Sequence, residues 1–300
     1  MRLRKYHGLG NDYLVLETSR PVSERLVVAA CERHRGVGAD GLLQPLAFRR
    51  DPADGRPVTA YAVRIWNPDG SRAEKSGNGL RILARWLRDH RAAPRRFTVE
   101  VRLTEEPGEI VACEVADPAG RGEVTVQMGT ARFEPEAVPC TRALLDTPVV
   151  VEGTRLRLTA VGTGNPHCVV FLDEPSQLGA APWRAWGAAL EGHPLFPRRT
   201  NVQFACLIPA APEDPPGTTR IAARIWERGA GETLASGSSA CAIAAAAMRL
   251  GHSGPEVVVA MPGGALSVHV APDLSLTLRG PVEEVGVIEF APTWLGDRGL

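Results

Sequence analysis

The chain has 300 residues, with 34 basic and 34 acidic side chains, a net charge of +0 and 44% apolar residues. That length permits one or two domains with a large core, and the balanced charge excludes the basic surplus or stripe of a nucleic-acid binder. No apolar run reaches the about 18 residues of a membrane span, and the start lacks the apolar stretch of a secretory signal, so a cytoplasmic protein with neither membrane nor nucleic-acid partners is expected.

Taken in chain order, a strand is predicted over 13–17 and a helix over 24–33, behind a capping Ser23. Strands follow over 42–46 and 60–66, then a helix over 80–91 with apolar spacing at Leu80, Leu83, Ala84 and Leu87. Alternation predicts strands over 97–103, 123–127, 155–161 and 168–172. A short helix over 183–190 comes next, then a strand over 220–226. An alanine-rich helix over 240–250 stops before Gly251, and a last strand spans 266–270. Strands outnumber helices and several are joined by tight turns. The expectation is a mixed α/β (α+β) chain with mostly antiparallel sheet, not a doubly wound parallel one.

The six cysteines, Cys31, Cys113, Cys140, Cys168, Cys206 and Cys241, include no CxxC pair. They read as buried reduced thiols, and no metal site is expected. Gly36-Val37-Gly38-Ala39-Asp40-Gly41 fits the GxGxxG pattern of dinucleotide sites. That fingerprint needs a strand before it and a helix after it. Here the predicted order is reversed, so the stretch reads as a Gly-rich helix-to-strand turn.

The chain also repeats itself. Gly10-Asn11 and Gly164-Asn165 each precede an apolar strand, and Arg64-Ile65-Trp66 and Arg224-Ile225-Trp226 each lead to a Ser-Gly pair and a helix. The interval from Asn11 to Ser76 is 65 residues, and from Asn165 to Ser236 it is 71. Landmarks in one order at similar spacing predict two homologous halves, with the seam in the Pro-rich stretch near 129–139. Their junction is a natural place for a pocket. Ser76-Gly77-Asn78 and Ser236-Gly237-Ser238 each open a helix. Helix N-termini offer unpaired N–H groups and the positive end of a dipole, so two of them could hold a carboxylate. Spacing alone equally allows Ser76 and Ser236 to be plain N-caps.

These residues carry a resemblance. Lys5 to Tyr13, Arg33 to Gly41, Asn67 to Arg81, Gly164 to Cys168, Glu227 to Ala242 and Pro262-Gly263-Gly264 resemble, in order, the motifs of the diaminopimelate epimerases. The resemblance implies two pseudo-symmetric domains, each a mostly antiparallel sheet or barrel around a central helix, with the active site in the cleft between them. The domains expected are 1–130, completed by a strand near 284–292, and 131–283. It also implies interconversion of LL- and meso-diaminopimelate in lysine and cell-wall precursor synthesis, with neither metal nor pyridoxal phosphate. The partner is a small-molecule substrate, and a homodimer is left open.

In that family's pattern two cysteines act as the catalytic bases, at the positions of Ser76 and Ser236. A helix N-terminus lowers a thiol pKa from about 8.5 to roughly 3.5–7.5, whereas a serine hydroxyl stays far from neutrality without an adjacent base. The chain as written is therefore expected to turn over poorly. Changing both sites and nothing around them reads as an engineered double Cys→Ser form, with natural divergence as the alternative. The resemblance assigns the far amino-carboxylate end of the substrate to Asn11, Asn67, Asn165, Asn201, Glu227 and Arg228. Gly77, Asn78, Gly237 and Ser238 would hold the reacting carboxylate on backbone N–H groups. Two rival readings stand beside this one. One is a racemase of another amino acid, and the other a non-catalytic relative that only binds an amino acid.

Overall fold

A computed structural model describes residues 1–18, 21–46, 60–73, 75–104, 108–116 and 122–300. The chain separates into two compact units, Met1–Val126 with Gly280–Leu300, and Gln127–Arg279.

The first unit begins with strands β1 (Arg2–Gly8) and β2 (Asn11–Leu16), followed by helix α1 (Glu24–Cys31) and strands β3 (Leu42–Pro45) and β4 (Ala60–Trp66). Helix α2 (Gly77–His90) comes next, then β5 (Arg96–Val101), β6 (Glu109–Val115) and β7 (Val124–Thr130), the last running on into the second unit. The second unit holds β8 (Thr147–Val151), β9 (Thr154–Gly162), β10 (Pro166–Phe171), α3 (Gln177–Ala180), α4 (Trp183–Glu191), β11 (Asn201–Ile208), β12 (Thr219–Glu227) and β13 (Gly231–Thr233). It ends with α5 (Gly237–Arg249), β14 (Glu256–Met261), β15 (Gly264–Val270) and β16 (Ser275–Gly280). The chain then returns to the first unit with β17 (Glu283–Glu289), antiparallel to β1, and the short α6 (Pro292–Gly296).

One pairing order occurs in both units. In the first, β1–β2 is antiparallel, β2–β3 parallel, β3–β4 antiparallel, β4–β5 parallel, and β5–β6 and β6–β7 antiparallel. In the second, β9–β10 is antiparallel, β10–β11 parallel, β11–β12 antiparallel, β12–β14 parallel, and β14–β15 and β15–β16 antiparallel. Helix α2 packs on β1, β2, β3 and β6, and α5 on β9, β10, β11, β14 and β15. The repeat visible in the motifs is thus also a repeat of strand pairing, and the sheet is mostly antiparallel.

Both of these helices begin earlier than the apolar spacing indicates, at Gly77 instead of 80 and at Gly237 instead of 240. Their first turns carry Gly, Asn and Ser, which have no apolar periodicity to read. Both helices are also buried nearly all round: Arg81, Ile82 and Trp86 are hidden together with Leu80, Leu83 and Leu87. In α5 every residue from Ser239 to Ala247 is buried. Within its sheet α5 has no polar face before Arg249, and its alanines let strands approach closely, whereas α2 leaves Arg85, Arg88 and Asp89 less enclosed.

Some strands gave no periodic signal. A register shift between Lys5 and Tyr6 breaks the alternation of β1. β11 lies between β10 and β12 with both faces covered, so its run Asn201–Ile208 is nearly continuously buried. The second unit's core stacks Trp183 and Trp186 against Phe204, at ring-centroid separations of 6.1 and 6.0 Å.

Candidate active site

In the first unit the site is built where β1, β2 and α2 meet. Ser76 is the N-cap of α2, and its Oγ accepts the Gly79 N–H at 3.0 Å. Tyr13, on β2 and buried, places its hydroxyl 3.0 Å from the same Oγ. The ring fits there because residue 41 has no side chain; a Cβ on Gly41 would stand 2.4 Å from Tyr13 Cε1. The GxGxxG stretch lies between helix α1 and strand β3, the reverse of a dinucleotide site, and its last glycine makes room for Tyr13.

The Asn78 side chain turns inward. Its Nδ2 donates to Asn11 O and to Asn11 Oδ1, both at 2.7 Å, and its Oδ1 accepts from Arg81 Nη2 at 3.0 Å. Both amide hydrogens of Asn78 are therefore used on Asn11, and only its backbone N–H is left for a ligand. Asn11 in turn donates from Nδ2 to Asp40 Oδ2 at 2.8 Å. Asp40 belongs to a charged cluster with Asp12, Lys5 and Arg33: Lys5 Nζ and Arg33 Nη2 lie 2.8 and 2.9 Å from Asp12. Desolvation pushes Asp12 up, but the hydrogen bonds from Arg33 and Lys5 prevail and hold it below the usual carboxylate range. Desolvation raises Asp40. Asn67 closes a turn, with Nδ2 donating to Ser71 Oγ at 2.9 Å and its backbone N–H to Ser71 O. Glu74, within the same motif, lies outside the described residues.

The second unit repeats the arrangement on α5. Ser236 is the N-cap, its Oγ accepting the Ser239 N–H at 3.5 Å, a longer contact than in α2. Gly237 and Ser238 form the first turn, and Asn165 precedes β10 as Asn11 opens β2. Asn201 is spoken for from both ends: Nδ2 donates to Pro166 O at 2.9 Å, and Oδ1 accepts the Arg228 N–H at 3.0 Å. Glu227 ends β12 opposite Gly231, and the Arg228 guanidinium donates to Arg198 O at 3.2 Å.

Glu191 holds this corner. It is buried, and it accepts the Trp226 Nε1–H at 2.8 Å and the Gly229 N–H at 2.7 Å while pairing with Arg199. Sequence reasoning passed over Glu191, which lies in no repeated motif, and Tyr13, whose place beside Asn11's face was legible from its two-residue offset on a strand. Each unit thus offers a helix N-terminus, a capping hydroxyl and a set of amides positioned by buried polar side chains. That arrangement suits a carboxylate-bearing ligand.

The family model for diaminopimelate epimerase matches residues 3–134 and 159–285. The chain belongs to the diaminopimelate epimerase family. The diaminopimelate epimerase 2 of Nostoc sp. is 38% identical over 299 residues, spanning 97% of this chain and 96% of that protein. The diaminopimelate epimerase of Azotobacter vinelandii is 37% identical over 292 residues, spanning 95% and 97%. A solved hydroxyproline epimerase from Agrobacterium vitis matches with a TM-score of 0.65 at 16% identity, over 96% of this chain and 91% of that one, a likeness of fold. By family this chain is an isomerase, and its mixed α/β, mostly sheet architecture in two units is the fold of that family. No helix among the described residues is long and apolar enough to cross a membrane.

The six cysteines are all buried and unbridged. Burial pushes Cys31 and Cys113 up to about 12, and raises Cys168 as well. Burial holds these three thiols away from the thiolate form.

Proposed function

We propose that this chain binds diaminopimelate in the manner of an epimerase and exchanges its α-proton very slowly. The reading rests on one observation: Ser76 and Ser236 each cap a buried helix at its first turn, inside the family's motifs, with a helix N–H donated to the hydroxyl oxygen. An acidic group at that atom would have its anion stabilised by the same N–H and by the helix dipole. A cysteine there becomes a thiolate near neutral pH, while a serine remains a hydroxyl.

In the two-base mechanism the reacting carboxylate lies on backbone N–H groups at a helix N-terminus, the kind of group that opens α2 in one unit and α5 in the other. Those groups gain strength as charge moves onto the carboxylate when the α-proton leaves. One base removes the proton and the other delivers a proton to the opposite face. Arg228 and Glu227, with Asn11, Asn67 and Asn165, clamp the far amino-carboxylate end, Arg228 through a two-pronged grip, and Asn201 joins them through the one Nδ2 hydrogen that its bond to Pro166 O leaves. In this reading the chain acts in the cytoplasm, within lysine and cell-wall precursor synthesis.

The test is to make Ser76→Cys and Ser236→Cys together and follow loss of the α-proton in D₂O. Each acid–base group contributes roughly 10²–10⁴ in rate, so the double variant should exchange faster by at least the smaller of these factors. Turnover by the unaltered chain at the rate of the cysteine form would sink the proposal. Tyr13 would then be the first group to examine as a base for Ser76.

A further inference from the structure

Behind the α5 N-terminus lies a chain of buried polar side chains that the reaction does not touch. Ser239, Gln203 and His167 have no solvent exposure, and Thr163 is buried. Gln203 Nε2 stands 3.1 Å from Ser239 Oγ and 3.0 Å from His167 Nδ1. His167 Nε2 stands 2.8 Å from Asn165 Oδ1, and the Thr163 hydroxyl donates to that same oxygen at 3.3 Å.

An amide nitrogen only donates. His167 Nδ1 must therefore accept, and the ring proton sits on Nε2, where it donates to Asn165. Desolvation pushes the ring down to about 3, with the charge of Arg228 acting in the same direction, so the imidazole is neutral and carries this single proton. Both contacts to the Asn165 amide fall on its oxygen. The NH₂ end is what remains for a ligand.

The opposite polarity is the costlier one. With every donor reversed, Asn165 would present its oxygen. In the observed sense the buried atom left without a partner is Gln203 Oε1. Reversal would instead leave an amide NH₂ buried and unpaired, and orphaned buried N–H groups are rarer than under-satisfied carbonyls.

We propose that Gln203 and His167 are positioning residues that lock the Asn165 amide with its NH₂ toward the ligand, so that this position selects a carboxylate and rejects an ammonium. The inference deepens the function proposed above and rests on it for the identity of the ligand, but the state of the His167 ring is independent of any ligand.

Long-range ¹H–¹⁵N correlation spectra of histidine-labelled protein read that state directly. His167 should carry its proton on Nε2 with Nδ1 bare at neutral pH. A proton on Nδ1, or an imidazolium, overturns the proposal whatever binds. Titration with meso-diaminopimelate supplies the second arm. Asn165→Asp keeps an oxygen for His167 and Thr163 but turns the presented donor into an acceptor. It should weaken binding about ten- to a hundredfold, the worth of a hydrogen bond to a charged group. Unchanged or tighter binding by Asn165→Asp shows the acceptor facing out and refutes the assignment. Gln203→Met should release the ring and weaken binding in the same direction. Should that variant not fold, the spectra and Asn165→Asp decide the matter. If the unaltered chain binds no diaminopimelate at all, the functional reading fails, and the ring proton alone decides the positioning role.

Discussion

Gly8→Ala is a small change with a large expected effect. Gly8 ends β1 against the α2 N-terminus, and a Cβ there would lie 2.0 Å from Asn78 Oδ1 and 3.2 Å from Asn78 Cγ and Arg81 Nη2. No adjustment of a few tenths of an ångström absorbs a 2.0 Å approach, so the Asn78 side chain has to leave its place. It gives up the bonds to Asn11 O and Asn11 Oδ1 and the one accepted from Arg81. A hydrogen bond contributes about 0.5–1.5 kcal/mol net, so losing these three is expected to cost about 1.5–4.5 kcal/mol. Urea denaturation measures this as a lower midpoint at unchanged slope. Affinity for meso-diaminopimelate should fall too, because Asn11 and the first turn of α2 lose their tie. A midpoint equal to that of the unaltered chain would refute the reasoning. The Asn78 bracket would then not be what holds this corner.

Arg228→Lys should cost about 1.5–3 kcal/mol of binding in calorimetric titration, because a point charge cannot reproduce a two-pronged grip on a carboxylate. Ser76→Ala should leave binding nearly intact and instead lower stability by about 1 kcal/mol through loss of the α2 cap, as read in thermal melts. Glu191→Gln should destabilise by about 1–3 kcal/mol, since its new NH₂ must face the Trp226 or Gly229 N–H, and diaminopimelate affinity should drop with the loosened Arg228 loop. Burial pushes His167 down to about 3, from 6.5 for the free side chain. Between those values the unfolded state binds the extra proton, so stability rises with pH across that window and gains nothing more above 6.5. His167→Gln should flatten the pH dependence of the urea midpoint there; an unchanged slope would show the ring is not held neutral.

Much of this protein could be read along the chain. The recurrence of Gly-Asn, Arg-Ile-Trp and Ser-Gly landmarks announced two similar halves, and the strand pairings follow the same order in each unit. Serine before a small-residue turn marked both capped helices, because capping is a local bond between residues three apart. The direction of the polar side chains was not legible. Asn78 stands in a motif that suggests ligand contact, and the resemblance assigns Asn201 to the substrate, yet their amides bond to Asn11, Pro166 and Arg228, residues distant in sequence. The same holds for Tyr13 beside Ser76 and for Gln203 behind His167. A hydrogen bond's partner depends on which strands the fold sets side by side, and pairing of that range leaves no periodic trace. Local chemistry determined the caps, the repeat and the elements that build the candidate site; tertiary packing decided which of its amide atoms are already hydrogen-bonded within the protein, because those partners lie far apart in sequence.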